Sequence, residues 1–165
     1  MGERLDQEQR RRAFRSLVRD VKLALLSEIG ARAVFDHIAR RNKDPELMGL
    51  AGEFNREGIE LVSEVQALMR ALGARPRTTS FRRRALARVL VHGSPVIGVR
   101  RVLRVIRDAE ATASRWYGEY ALFLLKLGEV ELAERFDALR AAKNRRAGAL
   151  GAWADNVVRG ARRSL

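Results

Sequence analysis

Each of four long amphipathic segments carries an ionisable residue in the middle of the apolar stripe that should face a protein core. A buried charge is costly unless it is paired or bound to a metal, so four such positions at matching depth indicate a site. Carboxylates suit a hard metal ion, whereas cations have the opposite sign. Three segments contribute glutamates and the fourth contributes cations: Glu28, Glu57 with Glu60, Glu110, and Lys143 with Arg146.

The spacing of apolar residues predicts the helices that hold these side chains. Asp44-Pro45 and Ser94-Pro95 are typical of helix starts, because a capping side chain precedes a proline at the first helical position. Apolar residues recur every three or four positions between such boundaries, as one face of a helix requires. Long helices are expected over residues of about 6–41, 45–73, 95–127 and 129–163, with a short helix over about 80–91.

The connections between these helices predict the topology. Two short turns make antiparallel hairpins of helices one and two and of the last two long helices, and one long connection joins the hairpins. That connection returns the chain along the bundle, so that helix two runs parallel to the third long helix. We therefore expect an all-α four-helix bundle in a single domain over residues 1–165.

The two hairpins also read as a diverged internal repeat. Phe35 follows Glu28 by seven residues and Tyr117 follows Glu110 by seven, which places each aromatic ring on the same helix face as its carboxylate. Both rings are expected beside the site. Tyr117 is expected to be a core aromatic residue whose hydroxyl has a partner; a hydrogen bond to a carboxylate, or redox chemistry beside a metal, is the alternative.

These motifs resemble the ferritin-like superfamily, in the branch of rubrerythrin and demethoxyubiquinone hydroxylase, and small ferritin-like bacterial domains of unknown function. The resemblance extends from about Leu17 to Val157. Family members carry a glutamate on helices one and three and a Glu-x-x-His pair on helices two and four, and these residues hold two iron or manganese ions. The matching stretches are Glu28-x6-Phe35-DHIARRNKDPEL, Glu57-Gly-Ile-Glu60 ahead of MRALGARP, and AEATASRWY around Glu110 and Tyr117.

On the fourth helix, Lys143 and Arg146 stand where that family has glutamate and histidine. Arginine stays protonated and is no metal ligand. The resemblance implies that the two cations replace the metal and form a buried salt-bridge network with the carboxylates. Four carboxylates against two cations leave an excess negative charge for a shared proton or one weakly held divalent ion. Any metal would be iron or manganese at low occupancy, held by Glu28, Glu57, Glu60 and Glu110.

The composition is strongly basic, with a formal net charge of +13. This charge favours a polyanion or nucleic-acid partner bound through arginine-rich poles of the bundle, although an arginine-biased genome gives the same composition. Cations near helix C-termini are explained by the helix dipole, but cations at a helix N-terminus are not. The candidate anion-binding residues are therefore those at the start of the third long helix: Arg100, Arg101, Arg104 and Arg107.

The sequence lacks the residues that several classes of function require. There is no cysteine for a thiolate site, no apolar run of membrane-spanning length and no phosphate-binding loop. The N-terminus has no apolar stretch typical of a secretory signal, so a cytoplasmic location is expected. The sequence predicts a non-catalytic binding or structural module, with a homodimer as the assembly implied by the resemblance. The alternative is a metal-dependent oxidase or iron-handling protein with an incomplete carboxylate site.

Overall fold

The computed structural model describes residues 7–76 and 98–163, which form four helices and, within those two ranges, no strand. The all-α prediction is confirmed. The short helix expected over about 80–91 and the Ser94-Pro95 start lie outside the described residues. The helices are α1 (Gln7–Arg41), α2 (Pro45–Ala71), α3 (Val99–Lys126) and α4 (Val130–Arg163).

Helix ends follow the capping residues, with one exception. Asp44 caps α2 as predicted, since its side chain accepts hydrogen bonds from the backbone N–H groups of Glu46 at 3.0 Å and Leu47 at 3.2 Å. By contrast, α3 begins at Val99 and not at residue 95. Gly98 precedes it with a φ of 85°, in the left-handed region, so the backbone is not helical there.

The four helices pack as two antiparallel hairpins, α1 with α2 and α3 with α4, as predicted. Side-chain contacts between the hairpins join α1 to α3 and α2 to α4. The Tyr120 hydroxyl of α3 donates a hydrogen bond to Asp20 of α1, and Arg135 of α4 donates to Glu64 of α2 at 2.7 Å. Nearer the middle of the bundle, Glu28 and Glu110 share Lys143, and Arg146 contacts Glu57. Residue numbers therefore rise along α1 as they fall along α3, and α1 is antiparallel to both α2 and α3, so α2 and α3 are parallel. None of the helices, over the described residues, has an apolar stretch that would cross a lipid bilayer.

The hydrophobic core consists of two clusters, one towards each end of the bundle. On every helix the charged positions fall between them: Glu28 lies between Leu25 and Val34, and Lys143 lies between Ala142 and Leu150. A polar layer therefore separates two apolar layers. The first cluster includes Leu17, Leu25, Val65, Leu124 and Phe136, and the second includes Phe35, Leu47, Phe54, Leu103 and Trp153.

Candidate functional site

All four helices contribute a charged side chain to the polar layer at the middle of the bundle. Glu28 of α1, Glu110 of α3, and Lys143 and Arg146 of α4 are only 1%, 4%, 3% and 1% exposed. The side chain of Glu57 on α2 is 25% exposed and closes the layer at its edge. Each residue occupies a stripe position whose neighbours one turn away are apolar, so burial of that stripe also buries the charges. These five residues are called the ion-pair cluster.

Lys143 lies between the carboxylates of α1 and α3. Its Nζ forms ion pairs with Glu28 Oε1 and, at 2.9 Å, with Glu110 Oε2. All three side chains are almost fully buried, so water screens these pairs poorly. The ammonium group therefore occupies the space between the two carboxylates.

Arg146 connects the same carboxylates to α2. Its Nε donates a hydrogen bond to Glu57 Oε2 at 2.7 Å, and its Nη2 donates to the backbone carbonyl of Phe54 at 2.9 Å. Its Nη1 is 3.4 Å from Glu28 Oε2 and 3.9 Å from Glu110 Oε1. The planar guanidinium group has five N–H donors in a fixed fork, which is why one side chain can contact three other helices at once.

Aromatic rings and a glycine shape the pocket for this guanidinium group. Its central carbon lies 5.9 Å from the ring centroid of Phe35 and 5.4 Å from that of Phe54, within the range of cation–π attraction. Phe35, expected beside the site, thus packs against Arg146. A methyl group at Gly58 would lie 2.5 Å from Arg32 Cγ and 3.6 Å from Arg146 Nη2. The glycine after Glu57 therefore gives these two arginine side chains their space.

Two features of the ion-pair cluster differ from the sequence prediction. Glu60, expected in the site, is exposed, because a step of three residues places it about 60° further round the helix than Glu57, away from the core. Arg145 was not predicted, yet its Nη2 lies 3.0 Å from Glu57 Oε1. Three carboxylates thus meet three cations, and the excess negative charge expected from the sequence is absent from this set.

Burial dominates the protonation equilibria of the ion-pair cluster. It raises the pKa of Glu110 to about 7, although the Arg146 cation opposes the change. Burial, followed by the nearby Arg146 charge, lowers the pKa of Lys143 well below its usual value. Burial also raises the pKa of Tyr117, with the Glu110 charge as the second cause. Glu110 therefore takes up a proton near neutral pH.

An apolar cleft of about 520 Å³ between α1 and α3 reaches the ion-pair cluster. Small residues line its walls, so the two helices do not close against each other, and exposed Trp116 lies among its lining residues. Glu28, Glu110, Lys143 and Tyr117 lie at its buried end. The Tyr117 hydroxyl has no hydrogen-bond partner in the described ranges, contrary to the expectation of a satisfied core tyrosine. The small lining residues are Ala24, Gly30, Ala31, Ala109 and Ala113.

The residues of this site do not fit a dinuclear metal centre. On α4, the positions that the ferritin-like resemblance assigns to ligands hold Lys143 and Arg146, and Glu60 points away from the core. Lys143 and Arg146 also contact the carboxylate oxygens that would bind metal. Within residues 7–76 and 98–163, no group of three or more histidine, aspartate or glutamate side chains is arranged to hold a metal ion.

The arginines predicted to bind anions lie on the first turns of α3. Arg100, Arg101 and Arg104 are exposed, and the described residues offer them no ion pair. Arg107 differs because it is half-buried and its Nη2 lies 2.8 Å from Asp108 Oδ1. The exposed three are therefore the available part of the predicted anion site.

Comparisons with protein-family models, with curated proteins and with solved structures give no match to this chain. The chemistry of the ion-pair cluster and of the cleft that reaches it is therefore the basis for a function.

Proposed function

We propose that this chain is a ferritin-like bundle in which the ion-pair cluster stands in the place of a dinuclear metal centre, and that it acts as a non-catalytic binding module. The observation that carries the proposal is the position of Lys143, whose ammonium group contacts Glu28 on one side and Glu110 on the other. The sequence resemblance puts two metal-bridged carboxylates at these positions. A cation of the protein itself now supplies the positive charge between them.

The charge count supports this proposal. Buried carboxylates without cations would have to be protonated or would destabilise the fold by several kcal/mol each. The three carboxylates of the cluster meet Lys143, Arg146 and Arg145, so their charges balance without a metal ion. Buried ion networks add little net stability but penalise wrong arrangements. The cluster is then a device that fixes how the four helices align.

The cleft supports a binding function over a structural one alone. A cluster that only aligned helices would be covered by apolar side chains on every side. Here the space between α1 and α3 leads from exposed Trp116 to buried Glu110 and Tyr117. Clefts of this size with apolar walls and a few polar groups at their base are typical of small-molecule sites.

A Mn²⁺ titration tests the replacement of the metal. We expect no specific heat of binding with the natural chain in isothermal calorimetry. The double variant Lys143→Glu, Arg146→His supplies on α4 the glutamate and the histidine of the ferritin-like pattern, beside Glu28, Glu57 and Glu110, and should gain binding. A control variant, Lys126→Glu with Arg140→His, makes similar charge changes at exposed positions of the second hairpin. Saturable binding of two ions by the natural chain would overturn the proposal in favour of the metal-dependent alternative.

A polyanion-binding function has its own supporting observation. Arg100, Arg101 and Arg104 project exposed cations beside the N-terminus of α3, where backbone N–H groups add partial positive charge. Replacing all three by alanine should weaken binding to duplex DNA and reduce the slope of log affinity against log salt by about one for each phosphate that an arginine had neutralised. Arg70, exposed at the far end of α2, is the matched control. An unchanged slope would contradict this function.

A further inference from the structure

Carboxylates predominate among the charged residues that line the cleft between α1 and α3, although the protein has a formal net charge of +13. Its charged lining residues are Asp20, Glu28, Asp108, Glu110 and Lys143, which are four carboxylates and one ammonium group. No arginine is among the lining residues that the structure describes. Arg19, Arg107 and Arg146 pair with these carboxylates but are not lining residues themselves. Lys143 is the one cation among the described lining residues, and Glu28 and Glu110 already engage it. A negatively charged ligand would therefore meet carboxylate oxygens and no free cation in the part of the lining that the structure describes.

Glu110 has hydrogen-bonding capacity that the protein leaves unused. Glu28 engages both of its carboxylate oxygens, one with Lys143 and one with Arg146. Glu110 Oε2 lies 2.9 Å from Lys143 Nζ but without hydrogen-bond geometry, and its Oε1 is 3.9 Å from the nearest cation. A buried acceptor that receives no hydrogen bond is unfavourable, so a donor that reached Glu110 with the right geometry would bind favourably.

Tyr117 provides a second unsatisfied group beside the first. It is buried, it lines the same cleft as Glu110, and its hydroxyl lacks a hydrogen-bond partner among the described residues. Most of the remaining lining is apolar or aromatic and includes Trp116, Tyr120 and Phe136. The face of an aromatic ring attracts an ammonium group and also packs against hydrocarbon.

We propose that this cleft binds a small organic cation, an aromatic amine whose ammonium group donates hydrogen bonds to Glu110 and Tyr117 while its ring occupies the apolar part of the cleft. The inference rests on the proposed function, because a Glu110 that held a metal would not be free to accept from a ligand. A neutral apolar molecule would leave both polar groups unsatisfied, and an organic acid would find no free cation among the described residues of the lining, because Glu28 and Glu110 already engage Lys143. An ammonium group can donate hydrogen bonds to both polar groups and carries no negative charge.

Three probes of matched shape test this proposal with the full chain: naphthylethylamine, naphthylethanol and naphthylacetic acid. Isothermal calorimetry should show the amine binding about tenfold more tightly than the alcohol, or better, because only the amine adds a charged hydrogen bond. The acid should show no binding. Equal affinity of amine and alcohol would overturn the proposal, as would tighter binding of the acid.

Variants locate the binding. Glu110→Gln should bring the affinity of the amine to that of the alcohol, whereas Glu119→Gln, an exposed carboxylate on the same helix, should leave both unchanged. Ala109→Trp places a large ring in the cleft from an exposed position and touches no member of the ion-pair cluster, so it should abolish binding of both probes even if Glu110→Gln fails to fold. Binding that survives Ala109→Trp lies elsewhere and refutes the site.

Elemental analysis of the same protein sample separates the two proposals. Bound iron or manganese would contradict the proposed function, whatever the probes do. Metal-free protein that does not bind the amine would overturn only the inference about the cleft.

Discussion

Replacing Arg146 by methionine removes a buried guanidinium group while it keeps an unbranched apolar side chain in the same space. Arg146 is the most connected residue of the ion-pair cluster, with contacts to Glu28, Glu57, Glu110 and the Phe54 carbonyl. The variant leaves Lys143 as the only buried cation facing Glu28 and Glu110. It also leaves the Phe54 carbonyl without its donor.

The expected cost follows from these contacts. Removing one partner of a buried ion pair typically destabilises a protein by about 3–5 kcal/mol, because the remaining charge stays buried and unpaired. The guanidinium group is 1% exposed, so this range applies to Arg146 in full. For a domain of this length such a loss lowers the melting temperature by roughly 10 °C.

Arg145→Met is the matched control for this variant. Arg145 is the adjacent residue and contacts the same carboxylate, at 3.0 Å from Glu57 Oε1, but its side chain is 67% exposed. Ion pairs with so much exposure contribute about 0–1 kcal/mol. Urea unfolding of the natural chain and of both variants measures the difference.

A large difference between the two variants is expected to come from the burial of Arg146 and from its additional contacts with Glu28, Glu110 and the Phe54 carbonyl, since the residue type and the Glu57 partner are shared. Arg146→Lys should recover only part of the loss, because one ammonium group cannot reach Glu57, Glu28 and the Phe54 carbonyl together. If Arg146→Met and Arg145→Met unfold at the same urea concentration, loss of Arg146 leaves no buried charge unpaired, which contradicts the buried network described above.

The remaining predictions concern Lys143 and Glu110. Lys143→Met leaves Glu28 and Glu110 without their shared cation. It should lower the free energy of unfolding at pH 7 by about 3–5 kcal/mol, as measured in urea. Lys126→Met is the exposed control, and a loss of stability no larger than that of the control would refute the prediction. The cost should be smaller at pH 5, where Glu110 takes up a proton. In the natural chain, burial raises the pKa of Glu110 from 4.5 to about 7. Its contribution to stability is therefore fully present below about pH 4.5 and lost as the pH rises through 7, by roughly 3 kcal/mol. Glu110→Gln removes this dependence, so a flat difference between the two stability–pH curves would contradict the pKa shift.

Apolar periodicity was sufficient to predict the four helices and the burial of charges on them. Glu28, Glu110 and Lys143 each interrupt a mostly apolar stripe, and burial of the apolar members also buries the charged side chain. The start of α3 was misplaced because Ser94-Pro95 is a strong capping signal. The positive φ of Gly98 cannot be read from a sequence in which glycine is common.

Parts of the site depend on helix rotation, side-chain reach and helix separation, which the spacing of apolar residues does not reveal. Glu57 lies at the edge of the α2 stripe, so a further 60° of rotation was enough to expose Glu60. Arg145 reaches the ion-pair cluster from an exposed position, because a long side chain can approach a carboxylate at the rim. The cleft arises from small residues such as Ala109 and Ala113, which are ordinary in helices and do not reveal how far apart two helices pack.

Elemental analysis of the protein, purified without chelators from cells grown with added iron and manganese, tests the central claim most directly. The ion-pair cluster already balances the charges of its carboxylates with Lys143, Arg145 and Arg146. We therefore expect far less than one ion of either metal per chain. Two ions per chain, as a dinuclear centre requires, would contradict it.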